Sequence, residues 1–348
     1  MIERNKSTRI QYIDAMRGFT MILVIYHHIL IDYLPEHSFS FNDIFVLFRM
    51  PLFFFISGFV LYNPAKIWNM AFICAFLKKK FMIQVPSTLF FLLIVCIIFQ
   101  NNFVSALFSF AKNGYWFTLS LFEYFLLYAL IKYMIYKFNL IRWETLVLIS
   151  YALIVVVVPF ISYICPSLQF DIYPIYNLLG IRQLYYFIFF IFGVIIKKFF
   201  SNYQDYIFSD KKVGGYILLF GGCILLDYSL NVTNVVNIIT KLLEAFSGIL
   251  VVFSFFRHYS KTFSSENRVG IVLQYVGRRT LDIYLLHYLF LPRNMELFTD
   301  ILMKVPNPII EFFVTFLLSI LTMFFCLIVS NLIRVSSTLS HVLFGIKL

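Results

Sequence analysis

The chain has 348 residues, of which 61% are apolar, 13% are charged and 45 are phenylalanine. Soluble domains contain about 45–50% apolar and about 25% charged residues, so this composition excludes a soluble globular fold. It indicates a protein of membrane-spanning helices, because a helix satisfies its own backbone hydrogen bonds inside lipid. The net charge of +11 would suit a nucleic-acid partner, but the positions of the cations explain it differently, as described below.

Ten apolar runs are long enough to cross a bilayer as helices, each of which needs about 20 residues. They predict an all-α, polytopic membrane bundle of about ten transmembrane helices that forms one membrane domain over residues 1–348, with no appended soluble domain. The first run carries charged residues, so we expect it to be retained rather than cleaved as a signal peptide. The predicted spans are residues 11–31, 44–62, 82–100, 115–136, 144–164, 184–200, 213–230, 236–256, 280–297 and 308–333.

The distribution of lysine and arginine predicts the orientation of these spans. With both termini in the cytoplasm, the cytoplasmic segments hold 21 of these cations and the outer loops hold four. Such a bias follows the positive-inside rule for a multi-pass protein of the cell (inner, cytoplasmic) membrane. It accounts for the basic charge, so we expect no nucleic-acid partner.

The cysteines and histidines do not form a pattern typical of a metal site. The five cysteines are dispersed through apolar segments, are odd in number and lack C-x-x-C spacing. We expect them to be small core residues without a disulfide framework. The sequence also lacks an H-E-x-x-H helix, a phosphate-binding P-loop and a glycine-rich dinucleotide motif. No metal cofactor is therefore expected.

The first span carries a polar face, with Asp14, Arg17 and His28 inside an otherwise apolar helix. Each charged group costs about 2.5–3.5 kcal/mol at the centre of a membrane helix, so a bundle that retains several usually has a use for them. At 100° per residue, Arg17 and His28 lie within about 20° of each other and Asp14 lies within about 40° of His28, whereas His27 is turned about 80° away from Arg17.

Two interpretations of this face stay open from the helix alone. In one, the face belongs to a functional site, in which the imidazole of His28 suits proton transfer or nucleophilic chemistry near neutral pH because its ordinary pKa is about 6.5. In the other, Asp14 and Arg17 form a structural ion pair and His28 is a packing residue.

Four motifs resemble those of the acyltransferase-3 family of polytopic membrane acyltransferases. Asp14-Ala-Met-Arg17-Gly18 is similar to its opening D-x-x-R-G motif, and His28 follows the arginine after ten intervening residues, as in the family. Residues 48–59 resemble its second-helix signature, residues 275–287 its late G-x-x-(S/T)-L-x-I-Y-x-x-H signature, and residues 114–117 a W-F motif. The resemblance implies an acyl-coenzyme A donor, most often acetyl-CoA, and a catalytic role for Asp14, Arg17 and His28.

A donor with several phosphates predicts a basic binding site at the cytoplasmic side. Arg17 has the fork geometry that suits a phosphate or a carboxylate. The other candidates are basic clusters at the predicted cytoplasmic rim, namely Lys78, Lys79, Lys80, Arg278 and Arg279. For the three lysines, the alternative is an anchor for anionic lipid that also sets topology.

The candidate residues for binding the acceptor lie in three of the predicted spans. They are Arg49, Trp116, Glu123 and His287. Trp116 and Glu123 lie about 20° apart on one helix face, where an indole and a carboxylate suit a sugar. For each residue a structural role is the alternative: snorkelling for Arg49, a hydrogen bond for Glu123 and packing for His287. The outer loop at 165–183 either faces the acceptor or is a plain connection.

Together these features predict a membrane O-acyltransferase that moves an acyl group, most often acetyl, from cytoplasmic acetyl-CoA to a hydroxyl of a surface or lipid-linked carbohydrate. Membrane lipid surrounds the chain, and a homo-oligomer or a separate partner protein is possible. The first alternative is a transporter or flippase of a glycan precursor, although the sequence shows no inverted repeat. The second is a non-catalytic sensor or scaffold, in which replacing Arg17 or His28 would leave the product unchanged.

Overall fold

The computed structural model describes residues 9–33, 40–164, 173–229, 234–292 and 307–345, and its regular secondary structure over these ranges is entirely helical. The prediction of an all-α fold is therefore confirmed. Within the described ranges, three short 3-10 segments connect α-helices, namely Lys112–Gly114, Ile141–Trp143 and Ile181–Tyr186. The α-helices are α1 Gln11–Tyr33, α2 Phe41–Leu61, α3 Met70–Ile98, α4 Phe103–Leu107, α5 Trp116–Lys137, α6 Glu144–Ile164, α7 Tyr173–Leu178, α8 Phe187–Ile207, α9 Asp210–Ser229, α10 Asn234–His258, α11 Arg268–Arg278, α12 Thr280–Phe290, α13 Pro308–Val335 and α14 Ser337–Phe344.

Seven helices in the described part of the chain are long and apolar enough to cross a membrane, so this is a multi-pass membrane protein. They correspond to the predicted spans in α2, α3, α5, α6, α8, α10 and α13. The predicted spans at 11–31 and 213–230 are helical as α1 and α9 but are more polar. The span predicted at 280–297 begins with α12, and its continuation lies outside the described residues. The count of ten and the cytoplasmic termini stay predictions.

The chain divides into two compact units, and each draws on distant stretches of sequence. The first unit comprises Met1–Arg49, Tyr203–Ile283 and Pro292–Leu327, and the second comprises Met50–Asn202, Tyr284–Leu291 and Ile328–Leu348. The prediction of a single membrane domain stays a prediction.

In the first unit, α1 packs against α10 and α11, and α9 packs against α10. The apolar face of α1 is fully buried at Met16, Met21 and Ile25. The aromatic core beside it includes Phe256 and Phe263, whose rings stack with their centroids 4.2 Å apart. This packing fixes the helix that carries the predicted catalytic residues.

In the second unit, α3 packs against α5 and α14. Helix α3 begins at Met70, twelve residues before the predicted span, because the Asn69 side chain caps it by accepting a hydrogen bond from Phe72 N at 2.9 Å. The three consecutive lysines from Lys78 to Lys80 therefore lie within a helix rather than in a loop. Only the second half of the predicted outer loop at 165–183, from residue 173 onward, lies within the described residues.

Candidate functional site

The carboxylate of Asp14 is bound by an arginine that precedes α1. Arg9 contacts both of its oxygens, with Nε 2.5 Å from Oδ2 and a terminal nitrogen 3.0 Å from Oδ1. Arg17 is within electrostatic range of both residues. Its Nε is buried and has no hydrogen-bond partner among the described residues. The direct ion pair of Asp14 is thus with Arg9, and Arg17 Nε has capacity for a hydrogen-bond acceptor.

Helix α11 crosses α1 at the turn that carries Arg17. A Cβ atom at Gly18 would overlap the carbonyl oxygen of Leu273, and one at Gly277 would overlap the carbonyl oxygen of Asp14. Glycine at both positions lets the two backbones approach each other directly. The glycine of the D-x-x-R-G motif thus holds the Arg17 turn against α11.

The two arginines at the end of α11 differ in their surroundings. Arg278 is exposed. Arg279 lies 3.5 Å from the carboxylate of Asp282 and over the ring of Tyr275, 5.5 Å from its centroid. Of the two predicted donor-binding cations, Arg278 is thus the one that faces solvent.

The two adjacent histidines near the end of α1 have different contacts. The Nδ1 atom of His27 is 3.0 Å from Oδ1 of Asn42, which lies in the first turn of α2. The rings of His27 and His28 meet edge to face with centroids 5.3 Å apart, and both side chains are half-buried. Arg49, which is buried, lies within electrostatic range of His27. These residues and the Asp14–Arg17 turn all belong to the first unit.

In the second unit, the W-F motif is joined to the late signature by hydrogen bonds. The hydroxyl of Tyr284 donates to Gly114 O at 2.6 Å and accepts from Phe117 N at 3.1 Å. Tyr115 in turn donates its hydroxyl hydrogen to Leu285 O at 2.8 Å. His287, fully buried in the same segment, has Nδ1 2.6 Å from Tyr284 O. The two motifs, 170 residues apart in sequence, form one structural element.

Trp116 and Glu123 lie in the second unit, as the aromatic and acidic residues expected for the acceptor. Trp116 stacks with Tyr186, at 5.6 Å between centroids and 26° between planes, and both are half-buried. Phe54 packs against the Tyr186 ring at 5.4 Å. The Oε2 atom of Glu123 is buried and has no hydrogen-bond partner among the described residues. This part of the molecule therefore offers a partly open aromatic pair and a carboxylate oxygen with capacity for a donor.

Lys112, one of the four cations predicted to lie in outer loops, is buried beside Glu123. Lys112 is 2% exposed, and its Nζ donates to Asn177 O at 2.5 Å. Burial lowers the pKa of Lys112, and the nearby charge of Glu123 opposes this shift. Lys112 and Asn113 both have φ near +47°, a left-handed conformation that is uncommon outside glycine. The Asn-Gly pair directly before the W-F motif is the sequence signal for this turn.

The three consecutive lysines of α3 differ in their exposure. Lys78 and Lys79 are exposed, whereas the Lys80 ammonium lies 4.1 Å from the centroid of the Phe125 ring. Lys66, in the loop before α3, has a lowered pKa because it is partly buried and because Lys79 lies nearby. The basic cluster thus includes Lys66 as well as the lysines of α3.

Comparison with known proteins gives one match. Residues 10–331 fit the family model Acyl_transf_3, described as an acyltransferase domain. No curated protein and no solved structure shows a significant match to the chain.

Proposed function

This chain belongs to the acyltransferase-3 family, and we propose that it transfers an acetyl group from cytoplasmic acetyl-coenzyme A to a hydroxyl of a surface or lipid-linked carbohydrate. The reaction takes place in the cell membrane, with the acceptor at the outer side. The family supports membrane acyl transfer in general; the donor, the acceptor and the residue roles below are our proposal.

The state of Arg17 carries the proposal for the donor. A buried guanidinium nitrogen is costly unless it is paired, and Asp14, the carboxylate within electrostatic range of Arg17, is already held by Arg9. A phosphate or pantetheine carbonyl of coenzyme A would supply the missing acceptor for Arg17 Nε. The exposed cations Lys78, Lys79 and Arg278 would attract the anionic donor to the cytoplasmic rim.

His28 is the proposed base. It takes the proton of the acceptor hydroxyl as the hydroxyl oxygen attacks the thioester carbonyl. The carbon–sulfur bond breaks, and the thiolate of coenzyme A receives the proton from the imidazolium, so that ester and free thiol are the products. A transient acyl-imidazole on the same residue is the two-step form of the reaction. Arg17 binds the donor on the same helix, and Asp14, paired with Arg9, lies one turn before it.

Trp116, Tyr186 and Glu123 support a carbohydrate acceptor. An aromatic face packs against the apolar side of a sugar ring, and a carboxylate oxygen without a partner accepts from a sugar hydroxyl. Arg49 and His287, both buried, are proposed as further acceptor-site residues, as the sequence indicated.

Incubation of membranes containing the protein with acetyl-coenzyme A labelled in the acetyl group tests the proposal. We expect labelled ester in the glycan fraction and release of free coenzyme A. Labelled glycan in amounts equal to those from membranes without the protein would contradict the proposal. Translocation of an unmodified glycan precursor instead would favour the transporter alternative.

A further inference from the structure

A line of hydrogen bonds runs from α13 to the histidine pair of α1, entirely within the first unit. Ser40 Oγ donates to Glu311 Oε1 at 2.5 Å and accepts from the backbone N–H of Asn42 at 3.2 Å. The side-chain oxygen of Asn42 then lies 3.0 Å from His27 Nδ1. Glu311, Ser40 and Asn42 are 1%, 5% and 6% exposed, so the line is shielded from solvent.

The N-terminus of α2 holds Asn42 in place. Ser40 precedes the helix, and its backbone N–H donates to Asp43 Oδ2 at 3.0 Å while its hydroxyl accepts from Asn42 N, as in a capping box. The Ser40–Glu311 bond ties this cap to the first turn of α13. The backbone of Asn42 is therefore held by the cap, and its side-chain oxygen faces His27.

The contact with Asn42 selects one tautomer of His27. An amide oxygen only accepts hydrogen bonds, so Nδ1 of His27 carries a hydrogen and donates it to Asn42 Oδ1. The hydrogen bond also fixes the plane of the His27 ring, and the ring of His28 packs edge to face against that plane at 5.3 Å. The orientation of the His28 ring thus depends on His27, and the orientation of the His27 ring depends on Asn42.

We propose that Asn42 is a positioning residue of the transfer reaction, which acts through His27 to hold the His28 ring, and that Ser40 and Glu311 anchor it. This inference rests on the proposed role of His28. Neither Asn42 nor Glu311 belongs to the sequence motifs that point to the chemistry. Misplacement of a reacting group by about 1 Å can cost on the order of 100-fold in rate, so a loosened ring would lower turnover without removing the base.

The experiment compares purified full-length wild type with Asn42→Leu, His27→Ala and the double variant. Ser319→Ala is the matched control, because it removes a buried hydrogen bond within α13 of the same unit. We expect Asn42→Leu to lower kcat about tenfold with unchanged KM for acetyl-coenzyme A, and the double variant to be no slower than His27→Ala. Asn42→Asp, which keeps an acceptor oxygen, should restore most of the turnover, and Ser319→Ala should match the wild type.

Nitrogen-15 NMR spectra of protein labelled in histidine report which ring nitrogens carry a hydrogen. A general packing defect would not change this property. We expect Nδ1–H signals from both His27 and His287 in the wild type and in Ser319→Ala, because each Nδ1 faces an oxygen that only accepts. The His27 signal should be lost in Asn42→Leu and retained in Asn42→Asp, and the His287 signal should stay in every variant. If Asn42→Leu does not fold, Ser40→Ala replaces it and should lower kcat in the same direction. An inactive wild type would refute the proposed function. An active wild type with unchanged kcat in Asn42→Leu, or with additive losses in the double variant, would refute the positioning role.

Discussion

Asp14 is bound by Arg9 and not by Arg17, although Arg17 lies one helical turn further along the same helix. Both carboxylate oxygens of Asp14 contact the Arg9 guanidinium, while Arg17 Nε is buried without a hydrogen-bond partner among the described residues. An ion pair that neutralises Asp14 from outside the helix leaves Arg17 with capacity for an anionic ligand.

The first prediction follows from this arrangement. Arg17→Ala should weaken coenzyme A binding about tenfold or more, because a charge-assisted hydrogen bond of about 1.5–3 kcal/mol is lost. Isothermal titration calorimetry of the detergent-solubilised protein with coenzyme A measures the dissociation constant. Arg142 is exposed, so Arg142→Ala is the control for the loss of one positive charge. An unchanged dissociation constant in folded Arg17→Ala would remove Arg17 from the donor site.

The second prediction concerns the α1–α11 crossing. Gly277→Ala and Gly18→Ala should each lower the stability by about 1–3 kcal/mol, because the added methyl group meets backbone oxygen atoms that cannot rotate away. Thermal unfolding in detergent measures this. Gly222→Ala in α9 is the matched control, since a Cβ there meets nothing within 4 Å. Equal melting temperatures for all three variants would show that the helices do not cross as described.

The third prediction concerns the bonds between the two motifs of the second unit. Tyr284→Phe removes the donor to Gly114 O and the acceptor for Phe117 N. It should cost about 1–3 kcal/mol of stability, because the Phe117 N–H is left buried without an acceptor and Gly114 O loses its donor. Tyr206→Phe, at a site that is 69% exposed, should have no effect. Thermal unfolding distinguishes them, and a Tyr284→Phe protein as stable as the wild type would contradict the contact.

The fourth prediction concerns topology. In a cysteine-free background, Lys79→Cys should react with a membrane-impermeant maleimide only after the cells are opened, because the charge bias places this lysine on the cytoplasmic side. Arg182→Cys, which is exposed and predicted to lie outside, should react in intact cells. Labelling of position 79 in intact cells would show that the orientation in the membrane is the reverse of the predicted one.

The sequence predicted most of the described helices because long apolar runs leave the backbone few alternatives in lipid. It did not predict the start of α3, because the Asn69 cap extends the helix through a polar and basic segment that reads as a loop. The face of α1 could be drawn from helical periodicity, but the partners of that face could not. Arg9 lies before the helix, and Asn42 and Lys112 are recognised only by what they contact.

The comparison of His28→Ala with His27→Ala tests the central claim most directly. Both variants should first be shown to insert and fold like the wild type. With labelled acetyl-coenzyme A and acceptor, we predict that His28→Ala loses activity by at least about 10²–10⁴-fold, the usual contribution of a general base. His27→Ala should keep substantial activity, with the partial loss expected of a positioning neighbour. An active His28→Ala protein together with an inactive His27→Ala protein would contradict the account and would transfer the role of the base to His27.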